Sequence, residues 1–457
     1  MHGLIESARG GKAVAIVGVD AGSCKRVAQK LGKAAARWVQ ASGFSGEPGT
    51  FCLLADAQGQ LRTVLAGVAR ADGVYALAAL PQALPPGIYR LDDSGLALDP
   101  LRSALGWGLG AYRFSRYRKS SRQPARLMVD RAVARAMAPL LEAVTTVRDL
   151  VNTPTQDLGP AELVEPLRAL AKTHGGRYRE WVGDALLKAN FPTIHAVGRA
   201  SHRAPRLAEL TWGKPSAPHL VLIGKGVCFD TGGLNLKSSD GMRWMKKDMG
   251  GAAHAIALAG LIMQAQLPLR LTLLIPAVEN VVAADSYRPG EVIRTRAGIT
   301  VEVDNTDAEG RLVLGDALAY AVESKPDLVV DFATLTGAAR VALGAELPAL
   351  FTNRDDLAAA VLASGIREQD QVWRMPLWDA YNSMLDSRIA DVANGSSSRY
   401  AGAITAALYL KRFVPDSTAW MHLDVYAWND SDRPGRPHGG EAQGLRAFFA
   451  MLKERYR

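Results

Sequence analysis

The chain has 457 residues, 48% hydrophobic and 22% charged, which suits a soluble globular protein of two domains and excludes disordered and collagen-like classes. Its 54 Lys and Arg outnumber 45 Asp and Glu, for a net charge of +9, and the excess is confined to residues 1–150, with 20 basic against 11 acidic side chains. No run of about 18 apolar residues occurs and the opening MHGLIESARGGK lacks the apolar core of a secretion signal, so a cytoplasmic protein without a membrane span is expected. Three widely spaced cysteines, Cys24, Cys52 and Cys228, fit a reducing compartment rather than a disulfide framework. The basic first third makes DNA a candidate partner, although a solubilising surface explains the same charge.

In chain order, apolar runs at 13–17, 51–54 and 64–66 alternate with a helical pattern over 25–41, as in a small α/β domain. Gly106, Gly108 and Gly110 resemble a dinucleotide loop. Their G-x-G-x-G spacing lacks the third glycine and the later acidic residue, and a helix packed closely through its glycines is the better expectation. A basic linker follows, then an amphipathic helix over 130–150. The domain boundary is placed there, with a basic N-terminal α/β domain at 1–135 and a catalytic domain at 136–457. In the second part, strands at 219–223, 270–276, 299–304, 327–333 and 419–425 alternate with helices at 249–264, 313–323, 354–365, 402–413 and 442–453. That alternation predicts a doubly wound, mostly parallel sheet with helices on both faces.

Two stretches of this second part carry the chemistry. In 224–253, GKGVCFDTGGLNLKSSDGMRWMKKDMGGAA, the residues Lys225, Asp230, Lys237 and Asp248 stand among glycines dense enough for a loop that folds tightly around a ligand. In 305–318, NTDAEGRLVLGDAL, the residues Asp307, Glu309 and Arg311 alternate just after an apolar β-branched run. Read as extended chain, they share one face at a strand's carboxyl end. Several carboxylates in one pocket repel each other's ionisation, and divalent cations relieve that repulsion. Oxygen-rich donors with one lysine amine suit Mn²⁺, Zn²⁺, Co²⁺ or Mg²⁺. The histidines include no H-E-x-x-H, and His254 and His422 read as core or supporting groups. No nucleophile elbow or Walker A loop is present.

Together these stretches resemble the signature of the leucyl aminopeptidase family, the two-metal cytosolic aminopeptidases; NTDAEGRL matches its second motif throughout. Similarity extends through VRDLVNTPTQDL, DFATLTGAAR, AGAITAALYLKRF and WMHLD, covering about residues 106–425. The resemblance implies hydrolysis of N-terminal residues from peptide substrates by a water between two divalent ions, Mn²⁺ or Zn²⁺. It assigns Lys225, Asp230, Asp248 and Glu309 to one metal, and Asp230, Asp307 and Glu309 to the other. Lys225 would ligate as a neutral amine, its pKa depressed, while Lys237 stays protonated and polarises the scissile carbonyl. Arg311, which cannot act as a base, suits two-point contact with a small planar anion; the resemblance implies bicarbonate as the general base. It also implies substrate contacts from Met245, Asn305, Thr334, Leu335 and Gly337, and a homohexamer. An alternative is a DNA-binding accessory protein on an aminopeptidase scaffold, against which the intact ligand set argues. The sequence departs from the family's pattern after WMHLD, where Val425-Tyr426-Ala427-Trp428 replaces an apolar residue and a small Ala. A Tyr426 ring in the pocket for the first side chain would favour smaller or polar residues over Leu.

Overall fold

A computed structural model describes residues 3–6, 13–119 and 122–457. Two compact units emerge: Met1–Thr145 with Ser431–His438, and Thr146–Asp430 with Gly439–Arg457. The chain passes between them along the helix Arg131–Asn152. The sequence reading puts the division at 135/136, near the start of this helix, whereas the units change over at Thr145; a short segment near the C-terminus belongs with the first unit.

The first unit is built on a sheet that runs, among the described residues, Leu4–Glu6, Arg126–Val129, Ile88–Leu91, Val14–Val19, Leu61–Gly67, Phe51–Ala55. Neighbours are parallel except the last pair, which is antiparallel. The helix expected over 25–41 is two helices, Cys24–Lys30 and Lys33–Ala41. Gly32 between them has φ +117°, outside helical space, so the chain turns there. The glycines of the helix Pro100–Ala111 work by close approach: a Cβ on Gly106 would meet the Val74 carbonyl oxygen at 1.7 Å, and one on Gly110 that of Ala78 at 1.9 Å.

The second unit carries the larger sheet. Its central strands, Trp420–Asp424, Leu328–Ala333, His219–Gly224 and Arg270–Asn280, are adjacent in that order and parallel. Antiparallel strands flank them, Ala349–Thr352 on one side and Arg206–Trp212 then Arg177–Val182 on the other. His219–Gly224 and Leu328–Ala333 are buried along their whole length because helices cover both faces. At about 1.5–3 kcal/mol for each large aliphatic side chain buried, such strands make the rigid floor of the unit. The mixed α/β architecture matches the expected class, a small N-terminal α/β domain and a larger domain with a mostly parallel sheet.

One local expectation is overturned. Asp307, Glu309 and Arg311 do not alternate on extended chain. Asp307 lies on the 3₁₀ turn Thr306–Ala308, and Glu309 and Arg311 on the first turn of the helix Glu309–Glu323. The cause is turn chemistry: the Asn305 side chain accepts a hydrogen bond from the Asp307 N–H and starts the helical turn. The preceding strand, Thr300–Glu302, belongs to a separate small sheet with Val292–Arg294 and Val392–Ala393.

Candidate active site

The candidate residues reach one place from several elements. Lys225 follows the strand His219–Gly224, Asp230 ends the strand Gly226–Asp230, Thr334 and Leu335 follow Leu328–Ala333, and Asp248 precedes the helix Gly250–Gln264. The sheet's parallel strands thus deliver their carboxyl ends to a common crevice. All twelve residues singled out from the sequence line one cavity of about 590 Å³: Lys225, Asp230, Lys237, Met245, Asp248, Asn305, Asp307, Glu309, Arg311, Thr334, Leu335 and Gly337.

Two lysines interleave with four carboxylates. Lys225 Nζ lies 2.7 Å from Asp248 Oδ2 and 2.8 Å from Glu309 Oε1, and it donates to the Thr334 carbonyl at 2.9 Å. Lys237 Nζ lies 2.8 Å from Asp230 Oδ2 and 2.5 Å from Asp307 Oδ1. Four carboxylates against two ammoniums leave negative charge in excess. Burial and then the neighbouring Asp248 raise the Asp230 pKa, while burial and then Asp230 raise that of Glu309. For Lys225, burial is the largest single influence and pushes the pKa down, but Asp248, Glu309 and Asp230 together push it further up; the neutral amine expected at this position depends on adjacent dications. For Lys237 the carboxylates also outweigh burial, led by Asp230, and push its pKa up.

The donors suit a cation. Asp230, Asp307 and Glu309 each offer a carboxylate oxygen, all within 4.8 Å of one another. Glu309 Oε2 is buried without a hydrogen-bond partner, a costly condition that a cation would relieve. Supporting groups hold the cluster in place: Asp230 Oδ1 accepts from Gly232 N–H and Asn280 Nδ2, both at 2.8 Å, and Thr334 Oγ1 donates to Asp248 Oδ1 at 2.8 Å. Asn280 Nδ2 and Tyr287 Oη both donate to the Thr306 carbonyl, fixing the turn that carries Asp307.

Arg311 is half-buried and donates one N–H to the Asn394 carbonyl. Among the described residues it has no other hydrogen-bond or ion-pair partner, and it lines the cavity. Asp424, buried at the end of its strand, anchors the loop beside the cluster by accepting from Leu335 N–H at 2.9 Å and Thr336 Oγ1 at 2.6 Å. Sequence reasoning gave no role to Asn280, Tyr287 and Asn394, which come from distant segments and carry no local motif, nor to Asp424, the last residue of the WMHLD stretch. His254 and His422 are core groups as expected: His254 bridges the Gly250 carbonyl and the Gln443 N–H, and His422 Nδ1 lies 2.5 Å from buried Asp331. Tyr426 does line the cavity, but its hydroxyl is engaged by Asp430 Oδ1 at 2.8 Å. Lys247 also lines it, one residue before Asp248.

Comparison with known proteins gives the family. Residues 145–449 match the model of the cytosol aminopeptidase family's catalytic domain, and residues 26–130 that of the M17 aminopeptidase N-terminal domain. A probable cytosol aminopeptidase of Syntrophotalea carbinolica is 39% identical over 395 residues, 80% of this chain and 79% of that protein. Among solved structures, the cytosol aminopeptidase of Coxiella burnetii is 46% identical with a TM-score of 0.96, covering 99% of each chain. The bottromycin maturation enzyme BotP, solved in complex with Mn, is 35% identical with a TM-score of 0.87 over 98% of this chain and 100% of its own. With both units matched and the carboxylate cluster in the crevice of the larger one, the chain belongs to the cytosol aminopeptidase family and is a metal-dependent exopeptidase.

Proposed function

We propose that the cavity releases the N-terminal residue of peptides with two divalent cations, Mn²⁺ or Zn²⁺, held among its carboxylates. The observation that carries this reading is the excess of buried carboxylate, with Glu309 Oε2 left unpartnered. Lys225, Asp230, Asp248 and Glu309 would hold one cation, and Asp230, Asp307 and Glu309 the other. Bound there, the cations would lower the pKa of a water and stabilise charge on the scissile carbonyl oxygen. Their arrival would remove the need for an ammonium at Lys225, whose amine then serves as a ligand. Lys237 keeps its proton and steadies the developing oxyanion. Arg311, with donors free toward the cavity, would hold a bicarbonate as the base that the four ligand carboxylates do not supply. Met245, Asn305, Thr334, Leu335 and Gly337 would surround the substrate's first residue; a Cβ on Gly337 would meet nothing within 4 Å, so open space lies above it.

The same reading includes a cytoplasmic homohexamer. Supporting assembly, the second unit exposes large apolar side chains at Trp373, Trp378, Ile389 and Tyr400. Light scattering that returns a particle of 48.9 kDa at micromolar concentration would contradict it. The basic first 150 residues keep DNA as a candidate partner, tested by salt-dependent gel shift.

For the activity itself, chelator-stripped protein is reloaded with Mn²⁺ or Zn²⁺ and offered aminoacyl-p-nitroanilides with free or acetylated amino groups. Metal-dependent release from the free forms alone is expected. Asp307→Asn should lower metal occupancy and turnover together by roughly 10²-fold or more, since removing one partner of such a cluster costs about 3–5 kcal/mol. Wild-type turnover in that variant would defeat the reading.

A further inference from the structure

Lys247 stands apart from the other cations of the cavity. Lys225 and Lys237 are each matched to two carboxylates. Lys247 lies at the end of the 3₁₀ turn Met245–Lys247, is only 6% exposed, and lines the same cavity. Its ammonium makes no hydrogen bond or ion pair with any of the described residues; its contact is with the ring of Tyr426, 5.1 Å from the centroid. The exposed Arg340 guanidinium lies against the same ring at 4.5 Å and also borders the cavity. Nearby carboxylates are engaged elsewhere. Asp248 gives one oxygen to Lys225 and the other to Thr334, and Asp430 takes the Tyr426 hydroxyl.

A buried ammonium with no counter-ion is costly, and contact with an aromatic ring offsets a fraction of that cost. The missing partner is an anion, and Lys247 borders the cavity in which a substrate would sit. We propose that Lys247, with Arg340, selects peptides whose first residue carries an acidic side chain. The proposal rests on the aminopeptidase reading above, in which Met245, Thr334 and Gly337 surround the first side chain; Lys247 and Tyr426 extend that wall. A substrate carboxylate there forms a charge-assisted hydrogen bond with Lys247, and the neutral amide of the same shape leaves the ammonium unmatched. The Tyr426 ring narrows the space against bulky apolar side chains and presents the two cations.

The test compares Glu, Gln and Leu p-nitroanilides on the metal-loaded enzyme. Glu and Gln have nearly the same shape, so their ratio of kcat/KM reads charge alone, within one enzyme preparation. The wild type is expected to favour Glu over Gln by at least about tenfold. In Lys247→Met the ratio falls to about one, and in Lys247→Glu it drops below one. Equal use of Glu and Gln by the wild type, or an unchanged ratio in Lys247→Met, overturns the proposal. Calorimetric titration with L-glutamate and L-glutamine keeps the question independent of turnover: tighter binding of glutamate, lost in Lys247→Met, supports the assignment, and equal binding refutes it. Leu hydrolysis without discrimination between Glu and Gln would leave the aminopeptidase reading intact while this one fails. Metal-dependent hydrolysis absent on all three substrates, with glutamate still preferred in the titration, would defeat the aminopeptidase reading and retain the acidic subsite.

Discussion

Lys225 occupies its place because Gly310 has no side chain. A Cβ at residue 310 would lie 2.7 Å from Lys225 Cε and 2.8 Å from Nζ. The first turn of the helix Glu309–Glu323 therefore packs its backbone against the lysine while Glu309 Oε1 meets the amine. Gly310→Ala is expected to push Lys225 off Asp248 and Glu309, at about 1–3 kcal/mol of overpacking. Metal affinity and kcat/KM should fall together while circular dichroism stays native. Unchanged metal affinity would mean that the lysine yields without consequence.

Arg311→Ala should separate metal binding from turnover. The guanidinium contacts the Asn394 carbonyl and none of the four carboxylates. Its loss is expected to lower kcat roughly 10²-fold, as for removal of one electrostatic donor, with metal content by atomic emission unchanged and partial rescue by added bicarbonate. Loss of metal in this variant would contradict the anion-holding role.

Tyr426→Ala should widen the pocket for the first side chain. The ring borders the cavity and is held by the Asp430 hydrogen bond and by the contacts with Lys247 and Arg340. The ratio of kcat/KM for Leu over Ala substrates should rise roughly tenfold, the scale of discrimination by one or two methylenes. A ratio equal to the wild type's would place the ring outside the substrate's path.

His219, at the opposite end of its strand from Lys225, should make stability depend on pH. Its Nε2 lies 2.9 Å from Thr272 Oγ1, and burial, followed by the Arg270 charge, pushes its pKa down to about 4. The ordinary value is about 6.5, so between the two the unfolded chain binds more protons than the folded one. The contribution is fully present above pH 6.5 and is lost as pH falls toward 4, by about 2 kcal/mol at pH 5. Urea unfolding at pH 7 and pH 5 should show this loss in the wild type and a smaller one in His219→Gln. Equal losses in both proteins would assign the pH dependence to other groups.

The chemistry of the site was legible in the sequence because it is written in residue type and local spacing. Lys225, Asp230, Lys237 and Asp248 fall within one glycine-rich stretch and Asp307, Glu309 and Arg311 within another, and carboxylates at that density imply a cation whatever the chain's path. The order of strands and helices was readable for a similar reason, since a strand buried on both faces, such as Leu328–Ala333, is a continuous apolar run. Local conformation was less secure. Alternation of Asp307, Glu309 and Arg311 fits a strand face, yet the Asn305 cap turns the same residues into a helix start, because one side-chain hydrogen bond outweighs a three-residue pattern. Only the tertiary structure decided which charges are matched. Lys225 and Lys237 find carboxylates from segments up to 84 residues away, counting from Lys225 to Glu309, while Lys247, adjacent to Asp248 in sequence, finds none. Pairing depends on distances of a few ångströms between distant segments, and the one-dimensional order of residues does not contain them.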